Sequence, residues 1–415
     1  MPICGVCYIF VEKFLYMTDL DIQIAEIINA STTSMVDISK ISSLKELYEN
    51  RRDSLHLTDR QVLKILGMDA NSLKPILNGT AKQINLISMV KLGHFLGLTV
   101  NDMIKVYVPE FSPEQIGEIQ RAREAGYIME NFDIATLQKE KFIEKNISGH
   151  ELATRICRFF GLSSIFEYNA SLFGFALSKT AIGKDTKIRD FWLKSAFYQF
   201  KEIENPHPYS RQALLGIIPR IKPYSRNEEH GLKTVIKALY RIGVTLIYQP
   251  SMAQLQVRGA TMVVYGKPCI VLSDWNKSYP NLWFALMHEV YHVLYDLKEI
   301  EEQSYHISND GEDLFLMNED RANDFARKYF IDESRMHFLR PYMSSPYHVE
   351  QYAKEWGVHP SLIYAIHCYV TNEWGLYKPR IPNSDKALKY LNTHPFEKEE
   401  LIESVKELKE LIFNI

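Results

Sequence analysis

Along the first quarter of the chain, apolar residues recur every three or four positions in short bursts, each opened by a polar cap and closed by glycine. Thr58-Asp59-Arg60-Gln61 has the spacing of a capping box, and Val62, Ile65 and Leu66 follow on one face until Gly67. Asp69 supplies a fresh cap for a second helix with Leu73, Ile76 and Leu77 inward, ended by Asn78-Gly79. The same period predicts helices over Leu86–Leu96 and Val100–Val106. Upstream, Ile22, Ile24, Ile27 and Ile28 predict one or two helices within 18–50, after an unstructured lead-in over 1–16. The punctuation Pro109–Pro113 ends this region, and a mixed helical stretch rich in Phe and Tyr runs to Pro206–Pro208. A charged helix, Asn227–Ile242, leads to Gly243. The period then drops to two, predicting strands at Val244–Tyr248, Leu255–Val257, Thr261–Tyr265 and Cys269–Leu272. After Pro280 the pattern is helical almost to Ile415. Strands in one block followed by helices argue for an α+β domain in the second half and an all-α first half, a multidomain and mainly α chain. The expected divisions are 1–50, 51–110, 111–229, 230–378 and 379–415.

Composition narrows the class. The chain has 415 residues, 46% of them hydrophobic, enough to fill real cores and to exclude a mainly disordered protein. No apolar run approaches the length of a membrane span, and the greasiest segment is broken by Glu12 and Lys13, which also fits a signal peptide poorly. Five widely spaced cysteines suit a reducing compartment, so a cytoplasmic protein is expected. Cys4 and Cys7 form a single CxxC with no second pair, a weak metal signal. The net charge of -3 excludes a uniformly basic coat but not a local basic face.

The chemistry concentrates in His288-Glu289-Val290-Tyr291-His292, an HExxH motif on the amphipathic stretch that follows Pro280. Helical residues four apart are stacked neighbours, so His288 and His292 point their imidazoles at one place, as Zn2+ requires. Glu289 is then held beside a coordinated water, where it serves as general base. A third ligand is needed. Glu319 opens a helix whose small residues Ala322 and Ala326 permit close packing against the first, and a His2Glu set leaves a position open for catalysis. Asp296, one turn beyond His292, is an alternative, better suited to supporting an imidazole. His306 is a further candidate, in a strongly acidic loop (Glu299, Glu301, Glu302, Asp310, Glu312, Asp313) read as solvated.

These residues carry a resemblance. Phe284-Ala285-Leu286-Met287-His288-Glu289, then His292, then Glu319 with Ala322, Asn323, Phe325 and Ala326, resembles the ImmA/IrrE family of metallopeptidases over about 230–372. Residue by residue, His288, His292 and Glu319 match the family's zinc ligands and Glu289 its catalytic glutamate. Tyr291 departs from the usual Gly, and its ring either narrows the cleft or packs outward. The resemblance implies a zincin-like fold and cleavage of a partner protein, commonly a repressor, to relieve transcriptional repression. A sheet edge such as Cys269–Leu272 would hold the extended substrate by strand addition.

The span 55–107 resembles the Xre/Cro-type helix-turn-helix family, through Leu66-Gly67 and Leu77-Asn78-Gly79. That resemblance puts the second helix in the major groove, with Ala70, Asn71 and Lys74 toward the bases. Within 51–110, eight Lys and Arg against five Asp and Glu leave +3, modest support for phosphate contact. Pro75 interrupts that helix and should bend it, which favours a protein-interaction module as the alternative. Leu401, Val405, Leu408 and Ile412 form one stripe near the C-terminus, suited to a homodimer contact or, more simply, to a helix capping its own domain. The expected function is a zinc endopeptidase with a DNA-binding-type domain. The rival is a non-catalytic or antitoxin-like regulator whose zinc fold only senses.

Overall fold

A computed structural model describes residues 43–81, 83–108, 112–169, 184–303, 305–309 and 319–413. The CxxC at Cys4 and Cys7, the lead-in and the isoleucine-rich part of 18–42 lie outside the described residues, as do Asp310, Glu312 and Asp313. The chain divides into two compact units, Met1–Ala122 and Arg123–Ile415.

In the first unit, helices α1 (Leu44–Ser54), α2 (Asp59–Leu66), α3 (Ala70–Leu77), α4 (Leu86–Leu96) and α5 (Val100–Tyr107) surround one small core built on Leu44, Val62, Leu73, Leu92 and Met103. Each start has a local cause. The Thr58 and Gln61 capping box is closed in both directions, and Asp69 accepts from the Ser72 N–H at 2.8 Å. Gly67 and Gly97 end α2 and α4 in the left-handed region that glycine enters without strain. Pro75 does not break α3, which continues to Leu77. The proline sits in the last turn, so it removes only the N–H that would have met the Asn71 carbonyl.

The helix α6 (Pro113–Asn131) contains the division between the units. In the second unit follow α7 (Ile134–Lys139), α8 (Gly149–Phe160), α9 (Lys184–Ile203), α10 (Arg211–Ile221) and α11 (Gly231–Arg241). Strands β1 (Thr245–Tyr248), β2 (Val257–Val264) and β3 (Lys267–Leu272) precede α12 (Tyr279–Tyr295) and α13 (Leu297–Gln303). Then come β4 (Tyr305–Asn309), α14 (Glu319–Phe330), α15 (Glu333–Leu339), α16 (Pro346–Trp356), α17 (Pro360–Thr371) and three short helices, the last being α20 (Leu401–Leu408). One core runs through all of this, so 111–229 and 379–415 supply side chains to the same interior as the sheet. Leu401, Val405, Leu408 and Ile412 are buried there, with α20 packed on α9, so the stripe covers its own unit.

The sheet has order β1-β3-β2-β4, with β1 and β3 parallel and the other pairs antiparallel. Three expectations change. The strands expected at Leu255–Val257 and Thr261–Tyr265 are one, because Arg258-Gly259 continues β2 through a register shift instead of ending it. Cys269–Leu272 is no edge, since β3 lies between β1 and β2. The chain after Pro280 is not helical throughout: the acidic stretch holds β4, whose apolar partners lie on β2 and not beside it in sequence. A two-residue turn at Tyr265-Gly266, both at positive φ, joins β2 to β3 in the twist that such hairpins favour.

Helix α12 is the centre of the unit: fourteen of its seventeen residues are buried. A helix apolar on every side belongs to the interior, so the polar groups it carries are buried with it and need partners.

Candidate metal centre

His288, Glu289 and His292 project from α12, and Glu319 from the first turn of α14, which packs against it through the fully buried Ala322 and Ala326. The two imidazole Nε2 atoms are 3.1 Å apart. Glu319 brings Oε2 to 3.3 Å from His288 Nε2 and Oε1 to 3.2 Å from His292 Nε2. A tetrahedral ion with bonds of about 2.0–2.1 Å requires donor separations of roughly 3.3 Å; the two Nε2 atoms are near that separation, and each has a different Glu319 oxygen near it.

The outer ring nitrogens are both engaged. His292 Nδ1 donates to Asp296 Oδ2 at 2.8 Å, and His288 Nδ1 donates to Asn323 Oδ1 at 3.0 Å. Both Nε2 atoms therefore face one point, where either a proton or a metal ion can lie between them. Burial alone would depress His292, but the hydrogen bonds with Asp296 and Glu319 and the charge of Glu289 push it up to about 9. Burial would likewise raise Glu319, yet hydrogen bonds from His288, His292 and His306 hold its carboxyl well below the usual range. The pocket thus favours positive charge, and His288, His292 and Glu319 form a set able to hold a metal ion.

Glu289 is fully buried and turned to the sheet. Thr261 of β2 donates from Oγ1 to Glu289 Oε2 at 2.6 Å. Gly259 lies beneath the same side chain, and a Cβ there would come within 2.7 Å of Glu289 Oε1. A cavity of about 10 Å3, lined by Arg258, Phe284, His288, Glu289, Glu319 and Asn323, sits beside the carboxylate. That volume is on the order of one water.

Asp296 supports His292 and does not join the triad. Tyr291 does not line the cavity; it packs against Phe325 and Tyr295 between α12 and α14. His306 overturns the reading of its segment as a solvated loop. It is 5% exposed, on β4, with Nε2 2.6 Å from Glu319 Oε1 and its ring 4.4 Å from that of His292. Thr261 and Arg258 carry no local signal as site residues because they arrive through sheet pairing, which also brings in His306, a candidate by residue type in a segment that reads as solvated; Asn323 is legible, being one helical turn beyond Glu319. In the first unit, Asn71 and Lys74 are exposed on α3 and Ala70 is half-buried. Comparison with known proteins returned no match to any family model, curated protein or solved structure.

Proposed function

We propose that this protein is a zinc-dependent endopeptidase of the ImmA/IrrE type that cuts a repressor-like regulatory protein, and that its first unit binds DNA. The observation that carries the reading is the convergence of His288, His292 and Glu319 with a buried carboxylate, Glu289, facing a water-sized cavity. A site that only binds metal has no use for Glu289 in that place. Zinc, when held by His288, His292 and Glu319, would lower the pKa of a bound water and polarise the scissile carbonyl. Glu289 takes the proton of the attacking water and delivers it to the departing amine. Asp296 and Asn323 keep the two imidazoles in the tautomer that exposes Nε2. Pairing of an extended substrate with the sheet falls to an outer strand, β1 or β4, and β4 brings His306 beside the ligand Glu319.

The test is metal analysis together with cleavage of candidate repressors and a peptide library by the wild type and Glu289→Gln. Stoichiometric zinc in both and cleavage lost only in the variant is the expected outcome. Metal without cleavage in either would sink the peptidase reading. The rival, a transcriptional regulator with a zinc sensor, gains support from His306, because a buried third imidazole suits a site closed by protein ligands.

For the first unit, the exposed Asn71 and Lys74 on a capped helix support a major-groove contact, whereas Arg52 is engaged with Asp53 and Asp59. Lys74→Ala should weaken binding to duplex DNA and reduce the salt-dependence slope by about 1. Retention on DNA unchanged at low salt discards the assignment.

A further inference from the structure

In β2 and β4, Thr261 and His306 are direct partners across the antiparallel pair, so their side chains share a face of the sheet. That face carries two hydrogen bonds to two different carboxylates. Thr261 holds Glu289 through Oε2 at 2.6 Å, and His306 meets Glu319 through Oε1 at 2.6 Å. Both residues are buried, Thr261 completely, and Glu289 with it, while Glu319 is partly exposed. One rung of the sheet thereby sets the general base and the third ligand relative to each other, although 30 positions separate them along the chain.

We propose that His306 is a positioning residue for Glu319: it holds Oε1 at 2.6 Å and so fixes the carboxylate with Oε1 toward His292 Nε2 and Oε2 toward His288 Nε2. The inference rests on the metal-site reading above. A carboxylate binds an ion through one oxygen or two. Glu319 without that fixed donor is free to rotate its oxygens away from the two Nε2 atoms. His306 also points Glu319 at the two Nε2 atoms before the ion arrives, so less ordering accompanies binding. The group that fixes the third ligand thus comes from neither motif helix.

Zinc affinity by chelator competition tests this, with the full chain as wild type, His306→Ala, His306→Gln, His306→Asn and Thr261→Val. His306→Ala should bind zinc roughly 10–100-fold more weakly, the usual effect of removing a partner of a metal ligand. Gln places an N–H near the position of Nε2 and should recover most of the affinity, while the shorter Asn should not. Thr261→Val removes the opposite member of the rung and should leave zinc affinity within about twofold, since its partner is Glu289 and not a ligand. X-ray absorption of the zinc-loaded wild type should count two imidazoles. Three imidazoles would make His306 itself a ligand and overturn the proposal. Equal affinity in wild type and His306→Ala, or equal losses in His306→Ala and Thr261→Val, would overturn it as well. Where His306→Ala proves poorly folded, the Gln and Asn pair decides, because both keep a buried amide and differ in reach. A wild type that takes up no stoichiometric zinc defeats the metal-site reading, a result distinct from the failure of His306 alone.

Discussion

The two regions that carry candidate function treat their polar groups in opposite ways. On α3, Asn71 and Lys74 stand in solvent, where a charged side chain costs almost nothing and so says little about purpose. On α12 and at its end the same kinds of group are withdrawn from water: Glu289 and His292 are fully buried, and Asp296 is 2% exposed. Burying such a set is costly unless each charge is matched. Here the set converges on His288, His292 and Glu319, which could hold a metal ion, so the second unit says more about function than the first.

The sharpest way to break that contrast is to titrate it. His292 is raised to about 9, so near neutral pH the metal-free pocket holds a proton there that zinc must displace. Zinc affinity should rise about tenfold per pH unit from roughly pH 6.5 and level off near pH 9. The metal-free fold should behave oppositely. A raised histidine contributes stability that is complete below its unfolded value of about 6.5 and is lost as pH climbs through about 9. Calorimetry of zinc binding and metal-free melting curves over that window check both signs. A flat zinc affinity would mean that the buried charges are matched by something other than a cation at the triad.

Gly259→Ala probes the same burial without touching a ligand. Its methyl group would meet the Glu289 carboxylate at 2.7 Å, so the base must move. Overpacking of this kind costs about 1–3 kcal/mol, measurable by urea unfolding, while zinc stoichiometry should be preserved. The smallest effect belongs to the first unit. Thr58→Ala removes the capping box of α2 and should cost about 1 kcal/mol of stability, with no effect on zinc. A loss of zinc binding in that variant would contradict the description of the units as separate compact bodies.

Much of the architecture was legible because its causes are local. Thr58 with Gln61, Asp69 with Ser72, and Gly67 or Gly97 in the left-handed region each act over fewer than five residues, and the corresponding helices follow the periodicity closely. The same applies to His288 and His292, since one turn of helix stacks them whatever surrounds it. Legibility failed where the cause was distant. His306 sits in a run of acidic residues that reads as solvated, yet β2 draws it into the interior. Arg258-Gly259 reads as a break between strands, yet a glycine is what the approach of Glu289 to β2 demands.

By itself, then, the amino-acid order determined the capped helices, the paired imidazoles and the presence of a glutamate between them, all products of hydrogen bonds and side-chain spacing within a turn or two. Tertiary packing brings Glu319, the third ligand expected from the sequence, to the paired imidazoles, and it alone decided that Thr261 and His306 face Glu289 and Glu319 from one rung and that β3 is interior and β4 outermost. Strand pairing and helix packing join residues tens of positions apart through the burial of a shared core, and no local pattern encodes which distant partner will arrive.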